Sequence, residues 1–366
     1  MNNMIPQQKQ SLTIIKIAAF IIIVAGMIYA KSIIVPFLLS LFISIICAQP
    51  VTWLVKKKVP KGVAVLLVLI GMLLIFFGFG YMIGGAISSF TANAPKYAAS
   101  LQMTSDSFIH FLNSHGVVVT TENFSKLFEP SRILNFTAQA VNELVNMMGN
   151  TFLMLLTIVF MLLEISDIPI KLKAIFHGTT ESLDYLTEIT DSIRHYLGIK
   201  TLISLGVSVL IFISLSIIGL DYPILWALIA GLMNYIPNIG SIIAVIPPLL
   251  LAMVQLGVGG AIWTMVSFLA VNNILGNIIE PRIMGKGLGL STLVVFLSLI
   301  FWGFIFGTVG MFLSIPLTIT IKIILEHNEE TKWIAILLGT PNDAKVHMAN
   351  RDKESSLGSS SNQKSK

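Results

Sequence analysis

Charge is what this sequence most lacks. Of its 366 residues, 11% are Asp, Glu, Lys or Arg and 55% are hydrophobic, against about 25% charged in an ordinary soluble domain. At a mean hydropathy of +0.86 the chain cannot cover a water-facing surface, which excludes a soluble enzyme. The shortage is most severe between Thr201 and Ile321, where only Asp221, Glu280, Arg282 and Lys286 are charged. Cysteine is nearly absent as well: the single Cys47 rules out an intramolecular disulfide. No phosphate-binding glycine loop is present, which argues against ATP hydrolysis by this chain. The six histidines are scattered outside the apolar runs, and no His or Cys grouping has metal-ligand spacing. No metal, cofactor or catalytic residue is therefore expected. The net charge of +5 is spread between apolar runs and forms no single stripe, so the expected partner is an anionic bilayer surface and not nucleic acid.

What is there is a series of long apolar runs. Crossing about 30 Å of hydrocarbon takes roughly 20 apolar residues in a helix. Leu12 to Ala30, Ile33 to Val55, Val63 to Phe90, Asn150 to Glu164, Leu202 to Leu220 and Ala261 to Ile279 are read as spans. The first lacks a small-residue cleavage site and reads as a retained span. Lys56, Lys57, Lys58 and Lys61 mark the loop after the second span as cytoplasmic, which places the N-terminus inside. The polar segment 91–147 then falls outside, its Lys96, Lys126 and Arg132 balanced by Asp106, Glu122, Glu129 and Glu143. In 167–200, Leu183, Leu186, Ile189, Ile193 and Leu197 recur at helical spacing among alternating charges, as in an amphipathic connector. The tail 327–366 is polar and cytoplasmic, and its Ser-rich end reads as disordered.

The expected fold class is an all-α polytopic membrane protein with about six full spans and two inverted re-entrant helical hairpins. Its divisions are three spans in 1–90, the small polar helical insertion 91–147, a fourth span in 148–166, the connector 167–200, a transport core in 201–326 and the tail. The first hairpin, 223–256, begins with an apolar stretch too short to span, is cut at Pro237-Asn238-Ile239-Gly240 and is cut again at Pro247-Pro248. Proline removes a donor and glycine admits left-handed dihedrals; irregular backbone at membrane depth requires burial in protein or a wet cavity. The second, 290–325, would reach about 54 Å as one helix at roughly 1.5 Å per residue. It must break, and Gly303, Gly307, Gly310 and Pro316 are the candidate tip and hinges; close helix packing is the competing role for Gly303 and Gly310. Gly240 precedes Pro248-Leu249 much as Gly307 precedes Pro316-Leu317, a weak internal repeat. Paired broken helices of opposite topology point to a secondary-transporter binding site.

Polar residues inside the apolar half supply the candidate site. Asn234, Asn238, Ser241, Asn273 and Asn277 are the candidate solute-binding groups, and Asn272 lies beside them in sequence. Asn273 and Asn277 share a helix face as an i, i+4 pair, which serves either a solute or interhelical hydrogen bonding. Glu280-Pro281-Arg282 closes that span, with Pro281 expected to halt the helix. Glu280 with Arg282 is the candidate coupling or gate group: a proton carrier, a cation ligand, a structural salt bridge or an interfacial bystander.

The runs Pro-Asn-Ile-Gly (237–240) with Ile-Pro-Pro (246–248), Asn-Ile-Ile-Glu-Pro-Arg-Ile-Met-Gly (277–285), Leu-Ser-Thr-Leu-Val-Val-Phe-Leu-Ser-Leu (290–299) and Gly-x-x-Gly-Met-Phe-Leu-Ser-Ile-Pro-Leu-Thr (307–318) together resemble the autoinducer-2 exporter family of bacterial transporters. The likeness is strongest from Leu197 to Glu326. It implies a multi-pass protein of the bacterial inner membrane, a homo-oligomer of pentameric order, and an elevator-like movement of two inverted hairpins. It also implies export of the quorum-sensing signal autoinducer-2 or, for some members, sodium/proton antiport. Carried onto this chain, the matching positions are Pro237, Asn238, Gly240, Asn277, Glu280, Pro281, Arg282, Gly307, Gly310 and Pro316. Ser241 stands where many relatives are expected to have proline. Three functions follow as expectations: a secondary exporter of a small polar solute, a sodium(lithium)/proton antiporter using Glu280, and a non-transporting membrane scaffold.

Overall fold

The computed structural model describes residues 6–114, 151–164, 171, 181–237, 239–284, 289–328, 330–341, 344–345 and 348, and among these there is no β-strand. The helices are α1 (Pro6–Tyr29), α2 (Lys31–Lys56), α3 (Lys61–Ser114), α4 (Thr151–Glu164), α5 (Glu181–Ile218), α6 (Pro223–Met233), α7 (Ile239–Val271), a π-helix (Asn272–Ile279), α8 (Glu280–Met284), α9 (Thr292–Phe306), α10 (Thr308–Glu326) and α11 (Lys332–Leu338). Among the described residues, five helical stretches are long and apolar enough to cross a membrane. Their outward side chains are themselves apolar, including Phe77, Leu202, Val258 and Ile324, as expected where lipid and not water is the solvent.

Several boundaries differ from those expected. The third span does not stop near Phe90: α3 continues to Ser114, so the polar insertion starts as an extension of a spanning helix, and its remainder, from residue 115, lies outside the described residues. The connector and the fifth span are one helix, α5, because Ile193, Tyr196, Leu197 and Ile199 bury the same face that Ile203, Val207 and Ile211 continue. Of the connector, residues 167–170 and 172–180 lie outside the described set, as do residues 148–150 and 165–166 of the expected fourth span and the Ser-rich end of the tail.

The chain divides into two compact units. One comprises residues 1–46, 153–193 and 288–366 and contains the second hairpin. Its α9 and α10 meet at Gly307, whose φ of 68° and ψ of −148° suit glycine alone. Gly310 lies so close to α9 that a Cβ there would come 1.9 Å from the carbonyl oxygen of Trp302. The arms are tied by Trp302 Nε1, which donates to Thr318 Oγ1 at 3.0 Å, while Thr318 donates to Ser314 O at 2.7 Å. Trp302, Ile305 and Phe306 bury against Val24, Ile28, Ile34 and Leu38 of the first two helices. Pro316 is buried inside a continuous α10.

The other unit comprises residues 47–152 and 194–287 and contains the first hairpin. Its core is Ile203, Val207, Ile211 and Leu215 of α5, Leu225, Trp226 and Ala230 of α6, and Ala244, Leu251 and Phe268 of α7. The end of α5 is fastened by Gln255, whose Nε2 donates to Gly219 O and whose Oε1 accepts from the Asp221 N–H. The expected second cut at Pro247-Pro248 is corrected: α7 runs through both prolines, and its dihedrals break instead at Gly257 (φ 71°, ψ −166°). Within protein or lipid, neighbouring groups and local adjustment absorb the carbonyls that a proline leaves free, whereas a positive φ takes the chain out of the helix outright.

Candidate functional site

The interruption between α6 and α7 is compact and internally bonded. The Asn234 N–H donates to Ala230 O, Ile236 N–H to Met233 O, Ile239 N–H to Pro237 O and Gly240 N–H to Ile236 O, so these four N–H groups at the break are paired within the turn itself. Gly240 makes the turn possible: a Cβ there would sit 1.8 Å from the Met233 carbonyl oxygen. The glycine that shares this steric role in the second hairpin is Gly310, three residues beyond the Gly307 suggested by the internal repeat.

One turn of α5 holds this tip in place. Asn234, buried, donates from Nδ2 to Ser204 Oγ at 3.0 Å. Thr201 Oγ1 donates to Leu197 O, so the 2.7 Å contact between Thr201 Oγ1 and the Tyr235 hydroxyl is completed by the phenol as donor. Gly231 allows α6 to lie on α5, since a Cβ there would meet Ser208 Oγ and the Ser204 carbonyl oxygen.

Opposite the tip, α7 passes into the π-helix Asn272–Ile279, whose last turn is closed by the Glu280 N–H bonding to Leu275 O, five residues back. Such segments are rare and frequent at functional sites. The helix does not halt at Pro281 as expected; α8 carries it to Met284. A proline in the first turn of the new α segment gives up an N–H where the bonding register is already changing. Asn272, Asn234 and Ser241, with Val207, Ile211, Ala230 and Phe268, line a space of about 10 Å³, room for about one water molecule. Gly276 leaves space for the Asn272 amide, whose Oδ1 would be 3.1 Å from a Cβ at that position.

The structure therefore divides the predicted amides. Asn234 and Ser241 come together and Asn272 joins them. Asn273 and Asn277 do not: they are exposed on another face, where Asn277 Nδ2 donates to Asn273 Oδ1 at 3.0 Å and Asn273 Nδ2 to Leu269 O. Asn238 lies outside the described residues, as does Lys286. Pro237 lies in the tip turn, while Pro247, Pro248 and Pro316 lie within helices. Gly303 packs on the side chain of Met311.

Glu280 has a partner that the sequence reading passed over. Lys200 Nζ lies 2.7 Å from Oε1 and 3.0 Å from Oε2 of Glu280, with side-chain exposures of only 6% and 15%, while Arg282 is exposed. Lys200 escaped notice because it is the last residue before the charge-poor stretch and looks like the end of the charged connector. Only its position, one helical turn after Tyr196 on the buried face of α5, distinguishes it. Tyr196 was also missed; its hydroxyl is buried with no hydrogen-bond partner.

A family model described as AI-2E family transporter matches residues 17–330. The chain belongs to the AI-2E transporter family. It is 39% identical over 339 residues to a putative transport protein of Haemophilus influenzae, covering 91% of this chain and 97% of that one. It is 38% identical over 331 residues to the AI-2 transport protein TqsA of Escherichia coli K12, covering 90% and 96%. A putative transport protein of Borreliella burgdorferi is 27% identical over 331 residues, covering 89% and 90%. This AI-2E family member is accordingly a membrane protein of a transporter family. The family match takes in both hairpins, the π-helix and the Lys200–Glu280 pair.

Proposed function

We propose that this protein is a secondary transporter that exports autoinducer-2 from the bacterial cytoplasm across the inner membrane by alternating access. The observation that carries the reading is the grouping of Asn234, Ser241 and Asn272 around a small internal space in a region otherwise almost free of charge. A small, neutral, polyhydroxylated solute is matched by amides and a hydroxyl, which donate and accept without fixed charge. The name of the TqsA relative supports the choice of solute. At about 10 Å³ the space is too small for such a solute, so binding requires the tip and the π-helix to part. An elevator-like movement within a homo-oligomer, with both termini cytoplasmic, fits two broken hairpins.

The test is the accumulation of external signal by cells with and without the gene, alongside Asn234→Ala and Asn272→Ala. Export that is unchanged in the deletion strain overturns the proposal.

The antiport reading would have Glu280 exchange a proton for sodium or lithium. Both oxygens of that carboxylate are engaged by Lys200, so exchange would first have to break the ion pair, which favours the export reading. Salt-driven pH changes in everted vesicles that vanish in Glu280→Gln would reverse this preference.

A further inference from the structure

We propose that the Lys200–Glu280 ion pair is a latch that holds the π-helix in register and so keeps the Asn272 amide at the site. Lys200 and Glu280 are then positioning residues. This deepens the reading of the Asn234, Ser241 and Asn272 space as the solute site and rests on it for its meaning in transport.

Three polar side chains within one turn of α5 each hold a different part of that site. Lys200 binds Glu280, Thr201 accepts from Tyr235 and Ser204 accepts from Asn234. The hairpin tip and the far end of the π-helix are thus referenced to the same few residues. Glu280 is the first residue after the π-helix, and its own N–H closes the last i to i−5 bond. Fixing its side chain therefore fixes the rotation of the segment at that end. At the other end Val271 is buried in the core and Asn272 lines the small, mostly apolar space together with Asn234.

A π-helix holds an extra residue per turn in an arrangement that α-helical bonding normally displaces. The segment buries none of its own residues completely, so core packing alone holds it weakly. Leu275 against Gly206 is its close approach to α5, at 3.3 Å for a Cβ on that glycine. Releasing Glu280 lets the segment wind back to α-helix. That change rotates Asn272 relative to Asn234, which stays on Ser204, and the two amides no longer face one space.

The experiment reads the position of residue 272 without reference to any solute. In full-length protein carrying Cys47→Ala and Asn272→Cys, the rate of alkylation by a small membrane-permeant maleimide is measured in membrane vesicles. A parallel chain carries Cys47→Ala and Val258→Cys as an exposed control away from the pair. Lys200→Met and Glu280→Gln are each expected to change the rate at 272 by about tenfold and to leave the rate at 258 unaltered. The exchange Lys200→Glu with Glu280→Lys restores the rate at 272 to within about threefold. An unchanged rate in both single variants, or a folded exchange variant that stays altered, overturns the latch. If the single variants do not fold, Glu280→Asp serves, since it retains the charge and shortens the reach; an unchanged rate there overturns the proposal equally. Failure of autoinducer-2 export in the cell assay, with this pattern intact, would refute the solute assignment and leave the latch standing.

Discussion

Asn234 and Ser204 are joined by a buried hydrogen bond of 3.0 Å between the tip of the first hairpin and α5. Asn234→Ala removes the bond and also an amide of the site, whereas Ser204→Ala removes the bond alone. Both are expected to lower stability by about 1–2 kcal/mol, read as a fall in the detergent melting temperature. Only Asn234→Ala should cut export by about tenfold or more; equal losses in the two variants would show that the bond, and not the amide, is what transport needs.

Asn272 and Asn273 are neighbours in sequence with opposite expected phenotypes. Asn272 lines the small space beside Asn234 and Ser241, while Asn273 is exposed and bonded to Asn277. Asn272→Ala should impair export, and Asn273→Ala and Asn277→Ala should leave it near the wild-type level. Export assays on the three variants, normalised to the amount of protein in the membrane, check this.

Gly240 and Gly310 admit no side chain because a carbonyl oxygen occupies the place of the Cβ, and Gly307 admits none because of its dihedrals. Gly240→Ala and Gly310→Ala should each cost about 1–3 kcal/mol through forced displacement of the facing helix. Gly307→Ala, with open space around it, should cost a similar 1–3 kcal/mol or so through backbone strain alone. Pro316→Ala, inside a continuous helix, should cost far less than any of them. Thermal unfolding in detergent ranks the four.

Lys200 and Glu280 invite a double-mutant comparison of stability. Removing either partner strands a mostly buried charge, and each of Lys200→Met and Glu280→Leu should destabilise by about 3–5 kcal/mol. Replacing both together should recover most of the loss, because no charge is then left unpaired. A double variant no more stable than the singles would mean that the side chains matter chiefly by packing.

Trp302 and Thr318 link the arms of the second hairpin. Trp302→Phe keeps most of the ring packing against Phe306 and deletes the N–H donor. The expected loss is about 1 kcal/mol, seen in the melting temperature, and Thr318→Val should not add its full cost on top of it, since the two share one bond.

Composition alone determined that this chain lives in a membrane, because 11% charge cannot solvate a surface. The order of residues pointed to breaks at Pro237 to Gly240 and near Gly307, because an apolar run longer than the bilayer is thick must bend and proline and glycine are where it bends most readily. The grouping of asparagines along 234–277 was legible too, since amides are conspicuous in an apolar stretch. Which amides meet was not. The i, i+4 rule paired Asn273 with Asn277, and they are bonded, but which face of that segment meets Asn234 depends on packing: Asn272 lines the space and Asn273 is exposed. Proline likewise has no fixed meaning in sequence. Pro247, Pro248 and Pro316 sit inside helices because their surroundings absorb the lost hydrogen bonds, while α7 breaks at Gly257, in the run Gly257-Val258-Gly259-Gly260. The pairing of Lys200 with Glu280, 80 residues apart in the chain, was decided by tertiary structure alone. An ion pair across that separation depends on how α5 and the π-helix pack, and neither helix's own sequence encodes the face it will present to the other.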